Sequence, residues 1–354
     1  MIPTIFCVKT SIIVVTYKVQ DTITYMTILK DFFNEFITFF RINGLLDIIH
    51  SGNYRVFLTF EGFLAFISPI TPIIIVFEFL WLLIQYKFRT SAYKITFLII
   101  LTNRIISRLT GISVLVLTIG IFHKYAIIHT SMTWYWFIYG YLVYELNNFI
   151  RHYLTHKVRL LWCFHSVHHS PEDLNSSVTL TTFFVENLYT EFFAAMFCML
   201  LGVQPLMLFA IMIFDSIWGA FVHVSESTLK NARLGFLEKI ILTPSHHRVH
   251  HGRNYLYMDT NFCSIINVWD IVFRTYQEEK EEVPIDYGIT RPMDSTNFVD
   301  VYFGEIVSLW DDVTAAPGLK NKIAYIFMPP GWSHTGTFET ATTLRNQALK
   351  ALKK

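Results

Sequence analysis

The sequence predicts an all-α fold: a polytopic bundle of about four to six membrane helices with a cytosolic helical cap that carries clustered histidines. Three observations lead there. The 354 residues are 53% hydrophobic without counting glycine and only 16% charged, where soluble domains have about 45–50% apolar residues with glycine included and about 25% charged. Mean hydropathy is +0.41. Several apolar stretches approach the roughly 20 residues that a spanning helix needs. Nine of the 14 histidines fall into three tight clusters beside those stretches. The 33 phenylalanines suit a lipid-facing surface, and a net charge of +1 implies no nucleic-acid partner.

From the N-terminus, Met1 to Gln20 holds an apolar run, Ser11 to Val15, broken by polar residues. It lacks the basic start, long apolar core and small-residue cleavage site of a signal peptide. Residues 1–54 read as an amphipathic or interfacial region. The first candidate span runs from Phe57 to Gln85, with Pro69 and Pro72 marking a kink or a break into a hairpin. Ile95 to Leu101 is interrupted by Asn103, Arg104 and Arg108 and resumes from Ile112 to Phe122, as one span or an interrupted pair. Met132 to Ile150 is rich in the Trp and Tyr that mark membrane interfaces. Leu180 to Leu201 and Pro205 to Val222 form a helical hairpin, turned at Gly202 and Pro205.

Beyond Glu226 the chain is more polar and reads as a soluble cap, with the charge run Glu278 to Glu282 as a solvated loop. The predicted organisation is residues 1–54, a membrane domain over 55–275 and a cytosolic extension over 276–354. Lys87, Arg89 and Lys94 follow the first span, and Arg151, Lys157 and Arg159 follow the third. The positive-inside rule puts both groups on the cytosolic side, with the histidine clusters facing the same way. The four cysteines (Cys7, Cys163, Cys198, Cys263) have no Cys-x-x-Cys pair and read as free, mostly buried thiols.

The clusters are His152-x-x-x-His156, His165-x-x-His168-His169 and His246-His247-x-x-His250-His251. Residues three and four apart share a helix face, so His152 and His156 point together and the other two clusters repeat a 0, +3, +4 pattern. Adjacent histidines diverge by about 100° and can serve different metals. The eight imidazoles His152, His156, His165, His168, His169, His247, His250 and His251 suit two metal ions better than one. Spacing leaves Zn, Cu, Fe and Ni open. His223 ends an apolar run and is a candidate ninth ligand, whereas His246 falls outside the pattern. His50, His123, His129 and His334 read as bystanders. Glu145, Glu172, Asp173 and Asp259 lie near the clusters and are candidate partners for the second imidazole nitrogens. Ser170-Pro171-Glu172-Asp173 also reads as a helix start, with Ser170 as N-cap and Pro171 at the first position.

This order of boxes resembles the fatty acid hydroxylase and sterol desaturase superfamily. The third box and its flanks, Thr243-Pro-Ser-His-His-Arg-Val-His-His-Gly-Arg-Asn254 followed by Asp259, Asn261 and Trp269-Asp270, resemble the alkylglycerol monooxygenase-like branch. Glu172, Asp173 and Asn175 after the second box look similar too. The likeness covers roughly residues 55–275 and continues faintly through Tyr302-Phe-Gly-Glu305 and Pro329-Pro-Gly-Trp332. Lys157 departs from it, standing where animal alkylglycerol monooxygenases have an acidic residue. Glu145, Asn148, Phe149 and Pro171 depart as well.

The resemblance implies an integral membrane, O2-dependent lipid hydroxylase with two iron ions. The eight box histidines and His223 would be the ligands, with Glu145, Glu172 and Asn175 as catalytic candidates. It implies a membrane lipid substrate, an alkyl ether lipid in the named branch and a sterol or fatty acid in other relatives. It further implies an external electron donor, tetrahydropterin or a cytochrome b5/reductase-like carrier. The membrane would be the endoplasmic reticulum in a eukaryote or the inner membrane in a bacterium. A histidine-rich membrane metal transporter is the rival class, although transporters place ligands within their spans and these clusters follow the spans.

Overall fold

A computed structural model describes residues 27, 30–31, 33–38, 40, 42–110 and 114–352. The interfacial segment expected at Met1 to Gln20, and Cys7, lie outside the described residues. The chain divides into two compact units, Met1–Ile73 and Ile74–Lys354. The described residues form helices and no strand, with two isolated bridges at Ile241–Ile266 and Gly252–Tyr287.

The first unit holds α1 (Asn43–Ser51), a 3-10 turn at Tyr54–Leu58 and α2 (Phe60–Ile67). The Thr59 hydroxyl accepts from the Gly62 backbone N–H and caps α2. Next comes α3 (Ile70–Ile84). Pro69 falls between α2 and α3, where a break was expected. Phe60–Ile84 and Pro205–Val222 are the two described stretches long and apolar enough to cross a membrane.

In the second unit, α4 (Thr90–Thr110) and α5 (Val114–Phe122) follow α3. Asn103, Arg104 and Arg108 lie within α4, and α5 is a second helix, one of the two arrangements left open by the sequence. Asn103 Nδ2 donates to the Thr182 carbonyl at 2.8 Å, and its Oδ1 accepts from the Tyr302 hydroxyl at 2.7 Å. The polar residue thus clamps a loop and a distant helix to α4. Then come α6 (Trp134–Lys157), α7 (Arg159–His169), α8 (Phe184–Leu200) and α9 (Pro205–Val222). The expected turn joins α8 and α9: Gly202 takes φ +76°, and Pro205 opens α9 at its first position. Val143, Ala194, Ala195, Met207 and Ile211 form the core of α6, α8 and α9. Gly140 admits Met207, since a Cβ there would meet its sulfur at 2.6 Å.

The remaining helices are α10 (Pro244–His250), α11 (Val268–Val272), α12 (Phe298–Ala315), α13 (Gly318–Phe327) and α14 (Ala341–Ala351). A cluster of Ile95, Ile99, Val167, Phe183, Val301 and Tyr302 packs α12 against α4 and α7. Arg159 Nη1 lies 3.0 Å from Glu305 and ties α7 to α12. Cys163, Cys198 and Cys263 are free and buried, as expected.

Two expectations are corrected. Ser170 is the C-cap of α7, with its hydroxyl donating back to the Val167 carbonyl at 2.8 Å, and no helix starts there. Pro171 follows a helix end instead of opening a helix, and the next helical turn, Ser176–Leu180, is capped by Asn175. The charge run is not wholly solvated: Glu279 accepts from Arg248 Nη2 at 3.0 Å and from the Ser245 hydroxyl at 2.6 Å. Arg248 sits inside the third histidine cluster and is 1% exposed, so it needs that counter-charge.

Candidate metal centre

Four elements bring the histidines together. Helix α6 carries His152 and His156 one turn apart near its C-terminus. Val158 is extended and separates α6 from α7. Helix α7 presents His165 and His169 on one face and His168 on another. Helix α10 starts at Pro244 behind a capping box, in which Thr243 and His246 bond reciprocally. It presents His250 on one side, with His247 and the C-cap His251 on the other. His223 is the C-cap of α9.

Two sets result. His152, His156, His165, His169 and His250 form one, and His168, His223, His247 and His251 form the other; within each, the candidate ligand atoms lie within 4.8 Å of one another. The adjacent pairs 168/169 and 250/251 are each split between the sets. Every member but the half-buried His152 is buried.

The nitrogens fit a bound cation. His152 Nε2 and His165 Nε2 face each other at 3.1 Å. His223 Nε2 lies 2.8 Å from His247 Nε2 and 3.3 Å from His168 Nε2, and His247 Nε2 lies 3.1 Å from His251 Nε2. The Nε2 atoms of His156, His169 and His250 have no hydrogen-bond partner. The Nδ1 side is occupied: His152 by the Phe262 carbonyl at 2.9 Å, His165 by Glu186 at 2.6 Å, His223 by the Gly219 carbonyl at 2.6 Å, and His250 by the Thr260 carbonyl at 2.8 Å. Such acceptors place the proton on Nδ1 and leave the Nε2 lone pair free. Burial, followed by mutual repulsion among the imidazoles, holds His169, His247 and His251 well below the ordinary histidine pKa. Neutral imidazoles with converging lone pairs repel one another until a cation sits between them. With imidazole as the sole donor type, the sets can hold iron, zinc, copper or nickel.

The other predicted residues are placed as follows. His246 joins neither set: its Nδ1 faces Thr243 and its Nε2 lies 2.9 Å from the Tyr276 hydroxyl. His50, His123, His129 and His334 are exposed. Asp259 is the one proposed carboxylate beside a histidine, with Oδ1 3.4 Å from His156 Nδ1 and Oδ2 in contact with Lys157. Glu145 is fully buried and accepts from the backbone N–H groups of Ser264, Ile265 and Ile266 at 2.9–3.0 Å. Glu172 is exposed and accepts from Ser295. Asp173 lies 3.6 Å from Arg89, and Asn175 caps the turn at Ser176.

Glu186 is a site residue that sequence reasoning missed. It is 4% exposed, binds His165 and lies 3.8 Å from Arg151. A carboxylate in the apolar run from Leu180 to Leu201, one of two there with Glu191, was the available signal, because ionisable groups in such runs mark function by default. Glu78 gives the same signal in the first span. It accepts from the N–H groups of Ser176 and Ser225 at 2.5 and 2.6 Å, pinning the loops that follow the second box and His223.

Residues 137–275 match the fatty acid hydroxylase family. The chain is 35% identical over 202 residues to the alkylglycerol monooxygenase of Xenopus tropicalis, which covers 56% of this chain and 43% of that protein. It is 34% identical over 201 residues to the human alkylglycerol monooxygenase, with the same coverage. An ornithine lipid hydroxylase of Rhizobium tropici is 28% identical over 155 residues, 43% of this chain and 44% of the relative. The chain thus spans less than half the length of these relatives. No solved structure matches. The domain match and these relatives agree with the histidine geometry: residues 137–275 are similar to the fatty acid hydroxylase family, and the chain is similar over 56% of its length to alkylglycerol monooxygenases.

Proposed function

We propose that the protein is an integral, multi-pass membrane non-haem di-iron oxygenase that hydroxylates a lipid C–H bond with O2. The observation that carries this reading is the convergence of nine imidazoles into two sets, one of five and one of four. Two bound iron ions would supply the reduction of O2 to an oxidant able to take hydrogen from a C–H bond. The chain does the rest. His152, His165, His223 and His250 are oriented by their Nδ1 acceptors, and Glu186 and Asp259 place negative charge against His165 and His156. Burial excludes bulk water from both sets. A cavity of about 650 Å³ reaches His156, His169, His250 and His251, giving access from the side built by residues 288–344.

The relatives named above are lipid enzymes, which supports a lipid substrate. If the substrate is an alkyl ether lipid, hydroxylation beside the ether oxygen gives a hemiacetal that separates into an aldehyde and a glycerol. The electrons come from outside the chain, from a tetrahydropterin or a cytochrome b5/reductase-like carrier. About four to six membrane helices would carry the centre on the cytosolic face, in the endoplasmic reticulum of a eukaryote or the inner membrane of a bacterium.

His168 and His169 belong to different sets, so changing both to alanine takes one ligand from each. The expected result is loss of bound iron and of O2-dependent lipid turnover, while the protein still inserts into membranes. A variant that keeps about two irons per chain and full turnover would overturn the reading. A lipid screen with and without tetrahydropterin identifies substrate and reductant together.

A further inference from the structure

Helix α6 carries an apolar stripe at four-residue spacing. Ile138, Leu142, Ile150 and Leu154 are 55%, 40%, 41% and 41% exposed, with the half-buried Leu146 between them. Residues four apart share a face, and Ile138 to Leu154 spans about 24 Å at the α-helical rise. An apolar stripe of that length on a helix rich in aromatics suits lipid contact. It ends two residues before His156.

At that end the stripe borders a cavity of about 430 Å³, within the size range of small-molecule sites. Ile150, Tyr153, Leu154 and Phe273 form its apolar wall. Phe273 is 55% exposed and stacks on Phe149 with ring centroids 5.0 Å apart, so it extends the apolar surface beyond α6. Lys157 and Arg345 lie at the other end. Lys157 is neutralised by Asp259. Arg345 donates to the Leu256 carbonyl at 3.1 Å and the Gln277 side-chain oxygen at 3.2 Å, and Asp259, which also lines the cavity, is the carboxylate whose charge reaches it. Lys157 and Arg345 against the single carboxylate Asp259 leave the polar end of the cavity with one excess positive charge, and the half-buried Arg345 guanidinium, whose hydrogen bonds go to neutral oxygens, pairs best with carboxylate or phosphate oxygens.

We propose that this cavity is a lateral lipid site. It holds an amphiphile whose anionic headgroup pairs with Arg345 and whose hydrocarbon chain lies along Ile150, Leu154 and Phe273. No histidine lines it. It meets the histidine centre through Asp259, which touches both Lys157 and His156, and through Phe149 and Tyr153, whose rings contact Phe262 beside His152 and His156. The site needs no bound metal and stands apart from the oxygenase reading.

The test uses the full chain in phosphatidylcholine nanodiscs, with radiolabelled 1-palmitoyl-lysophosphatidate as probe. Saturable binding is expected. Arg345→Gln should weaken it about tenfold or more, the usual loss when a charged hydrogen bond goes. Arg345→Lys should restore most of the affinity, and Leu154→Trp should abolish saturable binding by filling the apolar end. Monopalmitoylglycerol, which has the chain without the charge, should compete weakly. Inorganic phosphate, which has the charge without the chain, should not compete. The His168→Ala/His169→Ala protein should bind as the wild type does, so a failed oxygenase reading leaves this one intact. Equal binding by wild type and Arg345→Gln overturns the proposal. So does purely non-saturable partitioning, competition by phosphate as strong as by lysophosphatidate, or an Arg345→Lys protein that binds no better than Arg345→Gln.

Discussion

Four imidazoles of the centre, His152, His165, His223 and His250, are set by what their Nδ1 atoms touch. For His165 that partner is Glu186, held in turn near Arg151. Removing the carboxylate with Glu186→Ala should weaken metal retention about 10–100-fold, read by competition with a chelator. Glu186→Gln keeps an acceptor oxygen and should recover part of that loss. His246 gives the opposite expectation. Its nitrogens serve a helix cap and Tyr276, so His246→Gln should leave iron stoichiometry unchanged while His247→Ala lowers it, as measured on purified protein. Glu145 acts on the backbone. Three half-buried N–H groups lose their acceptor in Glu145→Ala, which should destabilise the fold by about 2 kcal/mol or more, seen as a lower thermal midpoint.

At the scale of elements, helical periodicity explains how two short helices serve two sets. In α7 the four-residue pair His165/His169 goes to one set and His168 to the other; in α10 the pair His247/His251 goes to one and His250 to the other. The start of α10 is legible in Thr243 and Pro244, a cap followed by a first-turn proline. The end of α7 misled because Ser-Pro followed by acidic residues fits a helix start, whereas Ser170 here bonds back into the preceding turn. Both uses suit a short hydroxyl side chain, and only the direction of the packed helix chooses. The α8–α9 turn depends on Gly202. It holds φ +76°, and a Cβ would fall 1.8 Å from the Ile128 carbonyl oxygen. Gly202→Ala should therefore destabilise by about 2 kcal/mol or more, measurable by thermal unfolding in detergent.

Across the whole molecule, the nine histidines come from segments separated by as much as the stretch from His152 to His251. A metal bound between them ties α6, α7, α9 and α10 together, so metal binding adds to folding stability. Chelation should lower the thermal midpoint, and saturating iron should restore it, by about 3–4 kcal/mol at 100- to 1,000-fold excess over Kd. By itself the sequence determined the helical class, the three boxes and the faces on which their histidines lie, because the 3.6-residue period fixes directions within one helix. Glu186 and Glu78 carried a signal there too, as charges within apolar runs, which the sequence reading passed over. Only the tertiary structure decided the rest. It divided the candidate ligands five and four, placed His223 in the set of four, gave His246 to a cap, and set Glu186 against His165 and Glu279 against Arg248. Those pairings join residues distant in the chain, and which helix faces meet is settled by long-range packing that no local period encodes.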